Sequence, residues 1–145
     1  MDVQSGLTPR ALKRSMVTQR STVPEDTDAI ERLFHYLETT RPTMAEIKEA
    51  VCEFYDVKRD EIEGPSRKCH IVLARHVFCF FAYRYARASL NQIKFRCGHI
   101  DHSTVHHAIH RITVYSVTRP LVRDDLDLLR LRICEKMLQR GGASC

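Results

Sequence analysis

Asp101, His102, Ser103 and Thr104 form a run of short side chains that can donate and accept hydrogen bonds. The Asp101 carboxylate can accept from the amino group of a cytosine. The hydroxyls of Ser103 and Thr104 can donate, accept, or in the case of threonine place a methyl against thymine. Directly after them, Val105, Ala108, Ile109 and Ile112 recur at i, i+3, i+4 and i+7, the spacing of one helix face. At about 100° per residue the opposite face carries Ser103, His106, His107 and His110, flanked by His102 and Thr104. Such a helix is anchored on one side and presents polar groups on the other. Asp101 sits where an N-cap belongs, its carboxylate accepting from the backbone N–H of Ser103 or Thr104. Capping and base contact are compatible roles for it.

A helix of this kind needs a partner to hold it. Ser89-Leu90-Asn91-Gln92 opens one as a Ser-x-x-Gln capping box, and the helix runs to Arg96. Cys97-Gly98 ends it, because glycine takes the left-handed conformation that stops a helix. Ser89 and Asn91 lie at its N-terminal end, where free amides suit a phosphate or a groove edge. Short helix, glycine turn, second helix: this is the outline of a helix-turn-helix.

The run Asp101-His102-Ser103-Thr104-Val105, continuing to Ala108 and Ile112, resembles the signature of the C-terminal DNA-binding domain (domain IV) of the bacterial replication initiator DnaA. In that family an Asp-His-Ser/Thr-Thr-Val run opens the helix inserted in the major groove. The resemblance covers about residues 43–118 and implies a compact all-α domain of about five to six helices with a Trp-repressor-like helix-turn-helix. Double-stranded DNA is the implied partner, read in the major groove by the 101–112 helix and in the minor groove by the Arg67 loop. Asp101, His102, Ser103 and Thr104 are then the base-reading group, with His99 beside them as a further DNA-contact candidate. Replication or transcription proteins stand as further partners.

Arg67, with Lys68 in the loop Pro65-Ser66-Arg67-Lys68, resembles the family's minor-groove arginine; a solvated surface arginine is the rival reading. Arg75 resembles the long-helix arginine near the phosphates, against a salt bridge to Asp60, Glu61 or Glu63. Two departures stand out. Tyr83 replaces a family lysine, and the adjacent Arg84 points about 100° away from it on a helix. His99-Ile100 replaces the common Gly-Arg pair. Isoleucine cannot supply the bidentate guanine contact, worth about 1–3 kcal/mol of discrimination, so the target is expected to be an altered box.

The remaining pattern is helical. Ile30, Leu33, Phe34 and Leu37 mark a helix over 25–40, and Thr43-Met44-Ala45-Glu46 caps the next, with Ile47, Ala50, Val51, Phe54 and Tyr55 as its stripe. A short helical piece is expected near 60–62. The segment from Cys69 to Arg87 is apolar almost all round and reads as the buried centre. A loop over Thr118–Val122 leads to a last helix, 123–139, striped by Leu126, Leu129, Ile133 and Met137. Residues 1–24 read as a flexible basic tail, 25–139 as the folded domain and 140–145 as a disordered end.

The 145 residues are 43% hydrophobic and carry a formal net charge of +5, compatible with a polyanionic partner. No apolar run approaches the roughly 20 residues of a membrane span, and a cytoplasmic, nucleoid-associated protein without a membrane partner is expected. The six cysteines form no CxxC pair; Cys52, Cys69 and Cys79 read as reduced core residues. Cys97, His99, His102 and His106 are of metal-ligand type but lack finger spacing, so no metal or other cofactor is expected. No GxxxxGK[ST] is present, and Ser103, Asp101 and the histidines of one helix point apart, which excludes a catalytic relay. A non-enzymatic, sequence-specific DNA binder acting in replication initiation or transcription is the reading favoured. A protein-interaction module that has lost or altered base readout is the alternative.

Overall fold

The computed structural model describes residues 26–98 and 100–143, and over these it is all α. Seven helices follow in order: α1 Thr27–Thr40, α2 Met44–Tyr55, α3 Arg59–Glu63, α4 Cys69–Arg84, α5 Leu90–Arg96, α6 His102–Thr118 and α7 Pro120–Ala143. The expected tail over 1–24 and the candidate DNA-contact residue His99 lie outside the described residues.

Local signals explain most boundaries. Asp26 caps α1 through the Asp28 N–H. Thr43 and Glu46 form the reciprocal capping box of α2, and Ser89 and Gln92 form that of α5. The α4 helix ends at Arg84, three residues before the expected Arg87, with Tyr85 as its cap and the chain turning at Arg87, whose φ is 55°. The expected loop over 118–122 is absent. Pro120 starts α7 at once, its fixed φ suiting a first helical position and its missing N–H costing nothing there. α7 also runs on to Ala143, so residues 140–143 are helical rather than disordered.

α4 is the centre. It packs against α2 on one side and α6 on the other, while α7 closes the bundle against α1, α2 and α6. Ile71, Ala74, Val77, Phe78, Phe81 and Ala82 are buried along α4. They join Phe54 of α2, Ile93 of α5, Ile112 of α6 and Leu126, Leu129, Ile133 and Met137 of α7 in one continuous core. Each large side chain removed from water there contributes about 1.5–3 kcal/mol. Cys79 is buried as expected, but Cys69 at the start of α4 is exposed. No described helix is long and apolar enough to cross a membrane.

Candidate nucleic-acid interface

α5 and α6 are the two helices of the helix-turn-helix, and three contacts fix the turn between them. Gly98 has φ 77°, and a Cβ there would lie 2.0 Å from the Glu63 carbonyl oxygen. Only glycine fits. Lys48, buried on α2, donates to Glu63 Oε2 at 2.6 Å and to the carbonyl of Arg96 at the end of α5. That hydrogen bond holds the Glu63 carboxyl below the usual carboxylate range. Cys97 is buried against Cys79, with 3.6 Å between the sulfurs, which removes its thiol from the polar surface.

From this turn α6 projects its first residues into solvent. Asp101, His102, Ser103 and Thr104 are all exposed, while Val105, Ala108 and Ile112 are buried. The expected Asp101 cap is corrected: Asp101 occupies the N-cap position but its side chain makes no cap hydrogen bond. The carboxylate therefore stays available to an outside donor. His102 Nε2 donates to Asn91 Oδ1, a contact that ties the start of α6 to α5. Ser89 accepts from the Gln92 N–H at 3.2 Å, leaving its hydroxyl proton unspent.

Beside these residues an open groove of about 640 Å³ separates the 64–67 loop from the N-terminus of α6. Arg67, Arg75, Ile100, Asp101 and Thr104 line it. Arg67 is exposed, and no ion pair or hydrogen bond to another described residue restrains its side chain. Lys68 is also exposed and serves as the N-cap residue of α4.

Arg75 requires a correction. It is buried, and neither a phosphate nor a carboxylate is its main partner. Its Nε donates to the Ile62 carbonyl at 2.8 Å, and its Nη2 to those of Glu61 and Gly64 at 3.1 and 3.0 Å. The guanidinium thus satisfies the open carbonyls at the C-terminal end of α3, where a cation is favoured. Ile100, one of the departures noted in the sequence, is half-buried and packs against the core. Arg84 extends toward Glu38 of α1, 3.4 Å from its carboxylate, while the neighbouring Tyr83 is exposed.

The sequence reading missed one feature. His107, Arg111, Tyr115 and Arg119 follow at four-residue intervals, a signal of one shared helix face. Arg111 Nη2 donates to His107 Nε2 at 3.0 Å, and the Arg119 guanidinium lies 4.0 Å from the Tyr115 ring centroid. His76 of α4 faces this stripe. Burial, then Arg111, His107 and Arg75, push its pKa down to about 4.

Comparison with known proteins bears directly on this arrangement. Residues 44–112 match the family model described as the bacterial dnaA protein helix-turn-helix. That stretch, just under half of the chain, is similar to the DnaA helix-turn-helix domain. Among relatives of this domain, the chromosomal replication initiator protein DnaA of Levilactobacillus brevis is 33% identical over 88 residues, 61% of this chain and 20% of that protein. DnaA of Cereibacter sphaeroides is 34% identical over 88 residues, 61% of this chain and 19% of its own length. DnaA of Chlorobaculum tepidum is 30% identical over 95 residues, 66% and 19% of the two chains. The chain thus spans about a fifth of the length of these relatives. The matched stretch takes in α2 to α5 and α6 as far as Ile112.

Proposed function

We propose that this chain binds double-stranded DNA sequence-specifically, with the start of α6 in the major groove and Arg67 in the adjacent minor groove. The observation that carries the reading is the groove in which the unrestrained Arg67 guanidinium faces the exposed Asp101 and Thr104. A loop guanidinium suits a narrow, electronegative minor groove, and short polar side chains at a helix start suit base edges. Lys68, Ser89 and Asn91 flank this group and are suited to the phosphates. His99, Ser103 and His102 complete the base-reading set. Because Ile100 is packed rather than free, the box read differs from the family's at one position. The chain acts as a regulator of replication initiation or transcription, with no ATPase activity of its own, in the cytoplasm and at the nucleoid.

Fluorescence anisotropy with an A·T-rich DnaA-type box and a scrambled duplex, at two salt concentrations, tests this. Preference for the box, weakening steeply as salt rises, is expected, since each phosphate contact releases about 0.9 counterions. Equal, salt-insensitive binding to both duplexes rules the reading out.

One observation favours a second reading. Val114, Val117 and Leu121 are exposed at the α6–α7 corner, Val117 to 76%. A protein-interaction module would use such an apolar corner and would show little salt dependence.

A further inference from the structure

A second groove adjoins the first, and the base-reading residues do not use it. It lies between α4 and the C-terminal half of α6, encloses about 410 Å³, and shares Arg67, Val72 and His76 with its neighbour. Its charged lining is all of one sign: Arg67, Arg111 and Arg119, with no carboxylate. None of the three arginines has an ion-pair partner among the described residues. Arg111 leans on His107 and Arg119 on Tyr115, so both guanidiniums are oriented without being neutralised. Burial lowers the pKa of His76, and Arg111 alone of the three arginines adds to that shift. Val72 and Leu73 give the groove an apolar floor. Three like charges around one groove repel one another unless an anion offsets them. Guanidiniums also match phosphate better than any other side chain does. Arg119 lies beyond the residues 44–112 that match the family model.

We propose that this second groove holds the sugar–phosphate backbone of the bound duplex on the flank beyond the Arg67 contact, with Arg111 and Arg119 as phosphate ligands. The inference rests on the DNA reading of α6 and extends its footprint in one direction. Continuity favours DNA: the two grooves share Arg67, Val72 and His76, so a strand lying along the first can extend into the second. The apolar floor then faces deoxyribose, and the arginines face the phosphates on either side.

The test compares three duplexes: the minimal box, the box lengthened on the Arg67 side, and the box lengthened equally on the other side. Wild-type protein is expected to gain on the order of tenfold in affinity from the Arg67-side extension alone. In the Arg111→Gln/Arg119→Gln double variant that gain disappears. The log–log salt slope on the long duplex falls by roughly 0.9 for each lost contact. Both arginines are exposed, and a circular-dichroism melt checks the fold of the variant. A folded double variant that keeps the gain overturns the assignment of Arg111 and Arg119. Equal gain from either extension, or none from both, overturns the inference and leaves the DNA reading intact. Failure of the wild type to bind even the minimal box sinks the DNA reading, and this inference with it.

Discussion

Arg67 and Arg75 are both basic residues near one groove, and their surroundings give them opposite roles. Arg75 is committed to three carbonyls of the α3 end, whereas Arg67 is restrained by no described neighbour. Arg67→Ala is therefore expected to lower affinity for the A·T-rich box more than for a scrambled duplex, with an unchanged melting temperature. Arg75→Ala is expected to do the reverse, destabilising the fold by about 1–3 kcal/mol because buried carbonyls lose their donor. Thermal melts and anisotropy on the two variants separate the roles. Thr104→Ala removes a hydroxyl and a methyl at the start of α6. It should relax specificity at one or two base pairs, by about 1–3 kcal/mol per pair lost, as read from a panel of single-base box variants. The Asp101 run was legible in the sequence because its side chains are local to a helix start. The commitment of Arg75 was not, since the carbonyls it serves lie 11 to 14 residues away and carry no side-chain signal.

At the scale of elements, the helix-turn-helix is held from outside by α2 and α3. Gly98 closes against the Glu63 carbonyl, and Lys48 bridges Glu63 to the end of α5. Gly98→Ala combines a positive φ with a steric clash and is expected to cost about 2–4 kcal/mol in chemical denaturation. Lys48→Ala leaves the part-buried Arg96 carbonyl without its donor, while Glu63 stays solvated, and should cost about 1–3 kcal/mol. Lys48→Met, which keeps the packing, should cost less. The helix starts were readable in advance: the boxes at Thr43 and Ser89 are complete in the sequence, and both form. The ends were harder. Nothing in the letters of Arg87 announces a positive φ, and Pro120 was read as part of a loop when it opens a helix. Proline disrupts a helix interior and favours its first turn, so its position relative to the preceding helix decides, and that position was the unknown.

For the molecule as a whole, α4 joins stability to function: its Phe78 face builds the core, and its His76 face backs the positive groove. Phe78→Ala is expected to cost about 3–5 kcal/mol by leaving a cavity at the centre. His76 predicts a pH dependence. Its folded pKa of about 4 lies below the ordinary imidazole value of 6.5, so the unfolded chain binds more protons between these values. Stability is then highest above about pH 6.5 and falls as the pH drops toward 4. Glu63, depressed by Lys48, adds a further loss in the acid range below 4.5. Denaturation of wild type and His76→Gln between pH 4 and 7 should show a shallower slope in the variant. The central position of α4 could be read from its all-round apolarity. The basic stripe 107–119 could not be assigned to a groove until α4 was seen to run beside it.

The most direct measurement of the central claim is a titration of isotopically labelled protein with the box duplex, following backbone amide shifts by NMR. The account predicts the largest perturbations at Ser66 to Lys68 and Asp101 to His107, with α1 and the outer face of α7 silent. Perturbations confined to the Val114–Leu121 corner, with none at Asp101 to Thr104, would contradict it.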